Sequence, residues 1–108
     1  MTRVKSGILV SAALRYADKE LIDCFLVHRG DGDAGAIFVH IDARDGRHQI
    51  LSRILDLDGN YNWQVITATD WVDAESAKSR LDRELTNDRD AFVIEVNDPA
   101  ARNPFLML

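Results

Sequence analysis

The stretch Ala36-Ile37-Phe38-Val39-His40-Ile41-Asp42-Ala43-Arg44-Asp45-Gly46-Arg47-His48-Gln49-Ile50-Leu51-Ser52-Arg53-Ile54-Leu55 decides the fold. Two runs alternate with a period of two, and both are rich in β-branched residues. They flank an Asp-Gly pair, which is the pattern of a hairpin. A second pair, Asp58-Gly59, is followed by another alternating run at residues 62–67. Upstream, residues 22–28 alternate in the same way, and the segment Gly30-Asp31-Gly32-Asp33-Ala34-Gly35 separates them from residue 36.

These turns set a register. A two-residue turn at Asp45-Gly46 places Ile41 opposite Ile50 and Ile37 opposite Ile54. A like turn at Asp58-Gly59 places Ile54 opposite Trp63, and a symmetric loop about Gly32 places Val27 opposite Ile37. The expectation is a four-stranded antiparallel meander. One face carries Phe25, Val27, Ile37, Val39, Ile41, Ile50, Ile54, Trp63 and Val65. The other is mixed, with Cys24, Leu26, His28, Phe38, His40, Leu51, Arg53, Leu55 and Ile66. A slip of one residue would exchange the faces of a whole strand.

Helices flank the strands. Ser6 is placed to cap a helix over residues 7–19, with Val10, Ala13, Leu14 and Ala17 as its apolar stripe. Asp73 is placed to cap a second over residues 74–87, striped by Ala77, Leu81 and Leu85. Residues 91–96 read as a fifth strand. The fold class is α+β: a mostly antiparallel sheet of about five strands with two packed helices, in the order α-β-β-β-β-α-β.

The 108 residues suit one domain with one core. Cys24 is the sole cysteine, so an internal disulfide and a multi-cysteine zinc site are excluded. The net charge of -5 opposes a general nucleic-acid or anionic-membrane binder. The apolar run over residues 7–14 stops at Arg15 and is too short to span a bilayer. The expected location is the cytoplasm.

The segment Arg29-Gly30-Asp31-Gly32-Asp33-Ala34-Gly35-Ala36-Ile37 carries a resemblance. Together with Arg3-Val4-Lys5-Ser6-Gly7-Ile8-Leu9-Val10-Ser11-Ala12 and Phe92-Val93-Ile94-Glu95-Val96, it resembles a family of short alphaproteobacterial proteins of unknown function. The likeness covers nearly the whole chain. It implies a stand-alone domain and assigns no activity, cofactor or catalytic residue.

Several motifs invite chemistry. Gly30, Gly32 and Gly35 fit the spacing G-x-G-x-x-G, which lets a pyrophosphate approach a helix N-terminus. Here a strand follows instead of a helix, and Asp31 and Asp33 repel phosphate, so the glycines read as loop residues. Calcium-loop spacing fails at both Asp-rich turns, because ligand and turn-glycine positions are wrongly filled. The symmetric register sets Cys24 against His40, an arrangement able to activate a thiolate, with Arg53 on the same face. A small buried hydrophobe is the simpler reading of Cys24. His28, His40 and His48 do not converge in this register, so no metal is expected. Trp71, just before Asp73, reads as core closure. Arg3, Lys5, Arg44 and Arg47 are the components of any local basic patch.

No catalytic set or cofactor motif emerges. The expected function is a non-enzymatic protein-interaction or regulatory module. It would meet a protein partner, or a second copy, through the apolar residues Phe105, Leu106, Met107 and Leu108. The alternative is a small-molecule-binding protein or enzyme that uses the Gly-rich loop and the mixed face. Its candidate surface is Arg29, Gly30, Asp31, Asp33, Gly35, Cys24, His40, Arg53 and Trp71.

Overall fold

A computed structural model describes residues 4–108. Helix α1 (Ser6–Lys19) leads into β1 (Asp23–His28), β2 (Ile37–Asp42), β3 (His48–Leu55) and β4 (Tyr61–Val65). Helix α2 (Ala74–Asn87), β5 (Phe92–Asn97) and a 3-10 turn (Pro104–Met107) complete it. The class and element order are those the sequence predicts.

The strand order is β1-β5-β2-β3-β4, and this corrects the four-stranded meander. The last strand inserts between the first two, antiparallel to β1 and parallel to β2. The burial patterns agree with this placement. In β5 and β2 one face is apolar and wholly buried, and the other is buried at its first apolar residue and half covered beyond it, with no fully exposed residue on either strand. Strand β1 alternates exposed with half-buried residues, as an edge does.

The hairpin registers differ by one residue from the two-residue-turn reading. Ile41 pairs with Gln49, and Ile54 pairs with Asn62. Each loop has three residues. Arg44, Asp45 and Gly46 lie inside an Ala43–Arg47 backbone bond; Leu57, Asp58 and Gly59 lie inside an Asp56–Asn60 bond. The glycine ends each loop, at φ +90° for Gly46 and +84° for Gly59, as a three-residue hairpin with a left-handed last residue requires. Two slips of one cancel across β3. Trp63 and Val65 therefore return to the face of Ile37, whereas Ile50 and Ile54 lie on the other. Leu51 and Arg53 change sides with them.

The larger core lies between the sheet and α1 with the 3-10 turn. It holds Ile37, Val39, Ile41, Leu51, Phe92, Ile94 and Val96 against Val10, Ala13, Ala17 and Phe105. The smaller lies under α2, where Phe38, Ile50 and Val93 meet Ala77 and Leu81. Asp73 caps α2 as predicted, its Oδ1 accepting from Ser76 N at 2.8 Å. Ser6 does not cap α1 with its side chain; Lys5 holds the cap position. After β5, the buried carboxylate of Asp98 accepts from Arg102 Nε at 2.7 Å and from backbone N–H groups of Ala100 and Arg102. This knot turns the chain back so that Phe105 stacks against Trp63, with ring centroids 4.9 Å apart.

Candidate functional site

The Gly-rich loop is built by close backbone packing. A Cβ on Gly30 would lie 2.2 Å from the carbonyl oxygen of Asp90, and one on Gly35 would lie 2.3 Å from the same atom. Both glycines let the loop cross the start of β5, where Asp31 N donates to Asp90 O and Phe92 N donates to Ala36 O. The loop also finishes α1. Gly7 N donates to Gly32 O at 2.8 Å, and the Ser6 hydroxyl donates to Gly35 O at 2.7 Å. A carbonyl thus takes an N–H that a phosphate would need, so the glycine spacing serves the fold. Asp31 Oδ1 accepts from Asp33 N within the loop, and Asp33 pairs with Lys5 at 3.3 Å.

Beside this loop lies a 370 Å³ pocket lined by Val4, Ser6, Asp33, Gly35, Ile37, Arg53 and Tyr61, among others. A second pocket of 360 Å³ shares Arg53 and Tyr61 and adds Leu9, Asn62, Trp63, Phe105, Leu106 and Leu108. Together they form a cleft on the α1 side of the sheet, next to the edge strand β4. The Arg53 guanidinium carbon lies 3.6 Å from the Tyr61 ring centroid, a cation–π stack that holds a flat set of donors between the two halves. At the apolar end, Leu106, Met107 and Leu108 are 67%, 49% and 54% exposed, whereas Phe105 is buried.

The other candidate residues scatter. Arg29 borders a shallow groove along α1 with Lys5, Ser11 and Arg15. Cys24 pairs across to Val96 and His40 to Glu95, so β5 lies between them and they face opposite sides of the sheet. That overturns the proposed thiolate–imidazole pair. Burial, reinforced by Asp23, pushes the Cys24 thiol up to about 11, so it stays protonated at neutral pH. Trp71 is half-buried against the larger core, with the Arg47 guanidinium carbon 4.6 Å from its ring centroid. The basic set does not assemble. Lys5 meets the loop before β2, Arg44 and Arg47 lie in the turn after it, and Arg3 lies outside the described residues.

Two groupings escaped the sequence reading. His48 does meet His40, with His48 Nδ1 2.9 Å from His40 Nε2, and Glu95 Oε1 lies 3.6 Å from His40 Nδ1. Burial and the neighbouring His48 hold the His40 pKa down, opposed by Asp42. No cluster of three His, Cys, Asp or Glu among the described residues could hold a metal ion. Tyr61 is the other omission. Its alternation with Trp63 was visible, but only the three-residue loop places it beside Arg53.

No helix among the described residues is long and apolar enough to cross a membrane. No curated protein matches the chain. A protein of Caulobacter crescentus, solved by crystallography and described as a DUF1491 family protein, is 24% identical. It superposes with a TM-score of 0.85 over 94% of each chain. The A. tumefaciens protein Atu0922 is 26% identical, with a TM-score of 0.74 over 89% of this chain and 86% of that one. These likenesses establish the fold and carry no activity with them. A family model described as "Protein of unknown function (DUF1491)" matches residues 4–106, nearly the full length. The chain therefore belongs to the DUF1491 family.

Proposed function

We propose that this chain is a non-enzymatic protein-interaction or regulatory module of the cytoplasm, and that it engages its partner at the apolar end of the Arg53–Tyr61 cleft. One observation carries the reading. Leu106, Met107 and Leu108 are each about half exposed or more, and Leu106 and Leu108 border a groove lined by Leu9, Tyr61, Trp63 and Phe105. Contiguous exposed apolar surface next to a concave aromatic floor is the usual mark of a contact site. The 3-10 turn is anchored by Phe105, so the backbone that carries Leu106 and Met107 is ordered before any partner arrives, which limits the entropy lost on binding.

The test is a double substitution, Leu106→Ser with Leu108→Ser, which leaves Phe105 in its core position. The purified chain and the variant are compared by sedimentation equilibrium and by crosslinking in the native host. The reading expects either self-association or a defined set of crosslinked proteins, and expects both to weaken in the variant. A strict monomer whose crosslinked proteins are identical with and without the substitutions would sink it.

The alternative, a small-molecule binder, draws on the 370 Å³ pocket that joins the Gly-rich loop to Arg53. It predicts a saturable ligand whose affinity falls on Arg53→Gln while the crosslinked proteins are unaffected.

A further inference from the structure

On the opposite side of the sheet, a 300 Å³ pocket opens between α2 and the segment leading into it. Its lining combines Thr67, Ala68 and Val72 with Ser76, Ser79, Arg80 and Arg83 from α2. The last four follow helical spacing, so one stripe of α2 aims two hydroxyl-bearing and two guanidinium-bearing side chains along the same wall. Arg80 pairs with Glu84 at 2.8 Å, and Asp73 holds Ser76. Arg83 makes no hydrogen bond or ion pair among the described residues, and neither does the Ser79 hydroxyl. A chain with net charge -5 thus presents a local excess of cationic donors over a floor of methyl groups.

Thr67 lines the pocket with its Oγ1 buried away from the opening, so the hydroxyl offers nothing to a ligand. We propose that this pocket binds a small organic oxyanion, a phosphate monoester or carboxylate on a short apolar body. Arg83 and Arg80 hold its charge, Ser79 donates a further hydrogen bond, and Val72 and Ala68 pack its apolar part. This site is separate from the cleft, and its test is independent of partner binding.

The experiment is a titration followed by backbone amide NMR, with hexyl phosphate, hexanoate and hexanol as probes. The proposal expects saturable shifts centred on residues 67, 68, 76, 79, 80 and 83 with at least one anion, at a Kd below about 1 mM. Hexanol, lacking the charge, should bind at least about tenfold more weakly. Arg83→Gln should weaken the anion by about tenfold or more without moving the unfolding midpoint. Thr67→Val should leave the anion affinity unchanged, with stability unchanged or higher because an unpaired buried hydroxyl has been removed. Shifts that fail to saturate with both anions, or anion affinities unchanged in Arg83→Gln, would overturn it. So would hexanol binding as tightly as the anions.

Discussion

The two faces of the sheet are covered to different extents, and the difference separates what holds the fold from what is left for other work. On the α1 side, the helix and the 3-10 turn close over Ile37, Val39, Ile41, Ile94 and Val96, all 1% exposed or less. On the α2 side the helix covers a smaller cluster built on Phe38, Ile50, Ala91 and Val93. Beyond it the edge strand β1 leaves Phe25 43% and Val27 52% exposed, near His40, His48 and Glu95. Ile94→Ala should therefore destabilise by about 2–5 kcal/mol, since it opens a cavity in close-packed surroundings. Phe25→Ser, two strands' width from α2, should stay within about 0.5 kcal/mol of the parent. Urea denaturation of both variants checks the pair. Comparable losses would mean that the α2 side is sealed in solution.

A smaller contrast lies within the Gly-rich loop. Gly35→Ala would set a methyl 2.3 Å from Asp90 O and 2.8 Å from Asp31 O, both backbone atoms that cannot step aside. Overpacking of this kind should destabilise by about 3 kcal/mol. Gly32→Ala meets nothing within 4 Å and should be nearly neutral. If the loop were a ligand cradle rather than a crossing point, Gly32 would be the sensitive position for binding and Gly35 would be tolerant in folding.

Much of this was legible in the chain because it is local. Alternation located the five strands, and Asp73 stands where a cap must. The insertion of β5 between β1 and β2 was hidden. An Asp-Gly-rich loop between two alternating runs looks like a hairpin whether or not a third strand passes beneath it. Gly30 and Gly35 are the trace of that passage, and their reason is a non-local contact with residues 90–92. The single-residue register error came from loop length. Asp-Gly satisfies a two-residue turn and the end of a three-residue one equally well, and only the second brings Arg53 to Tyr61 and His48 to His40. The candidate site suffered most, because each of its pairings depends on register.

Cys24 tests the α1 face from another direction. With its pKa raised to about 11, only about one molecule in ten thousand carries the thiolate at pH 7. An ordinary thiol near 8.5 carries about one in thirty. Labelling by a thiol-specific disulfide reagent should run about 300-fold slower in the native protein than in urea. Rapid native labelling would show that the β1 edge opens readily, and would weaken the contrast between the two faces.

The weakest expected effect belongs to the α2 side and concerns pH. His40 faces His48 from β3, Asp42 from its own strand and Glu95 from β5, and burial with His48 lowers its pKa below the ordinary value. Between the unfolded value of about 6.5 and the lower folded one, the unfolded chain binds more protons. Stability must therefore rise with pH across that interval. The contribution is fully present above about pH 6.5 and is lost as pH falls through the folded pKa. Carboxylates depressed in the native state, such as Asp98, lose their contribution only below about pH 5, so the two windows separate. Urea midpoints measured between pH 7.5 and 5.5 should decline for the parent and flatten for His40→Gln. Equal slopes would show that His40 does not titrate with folding, and that the open half of the α2 side is as indifferent to protons as an ordinary exposed surface.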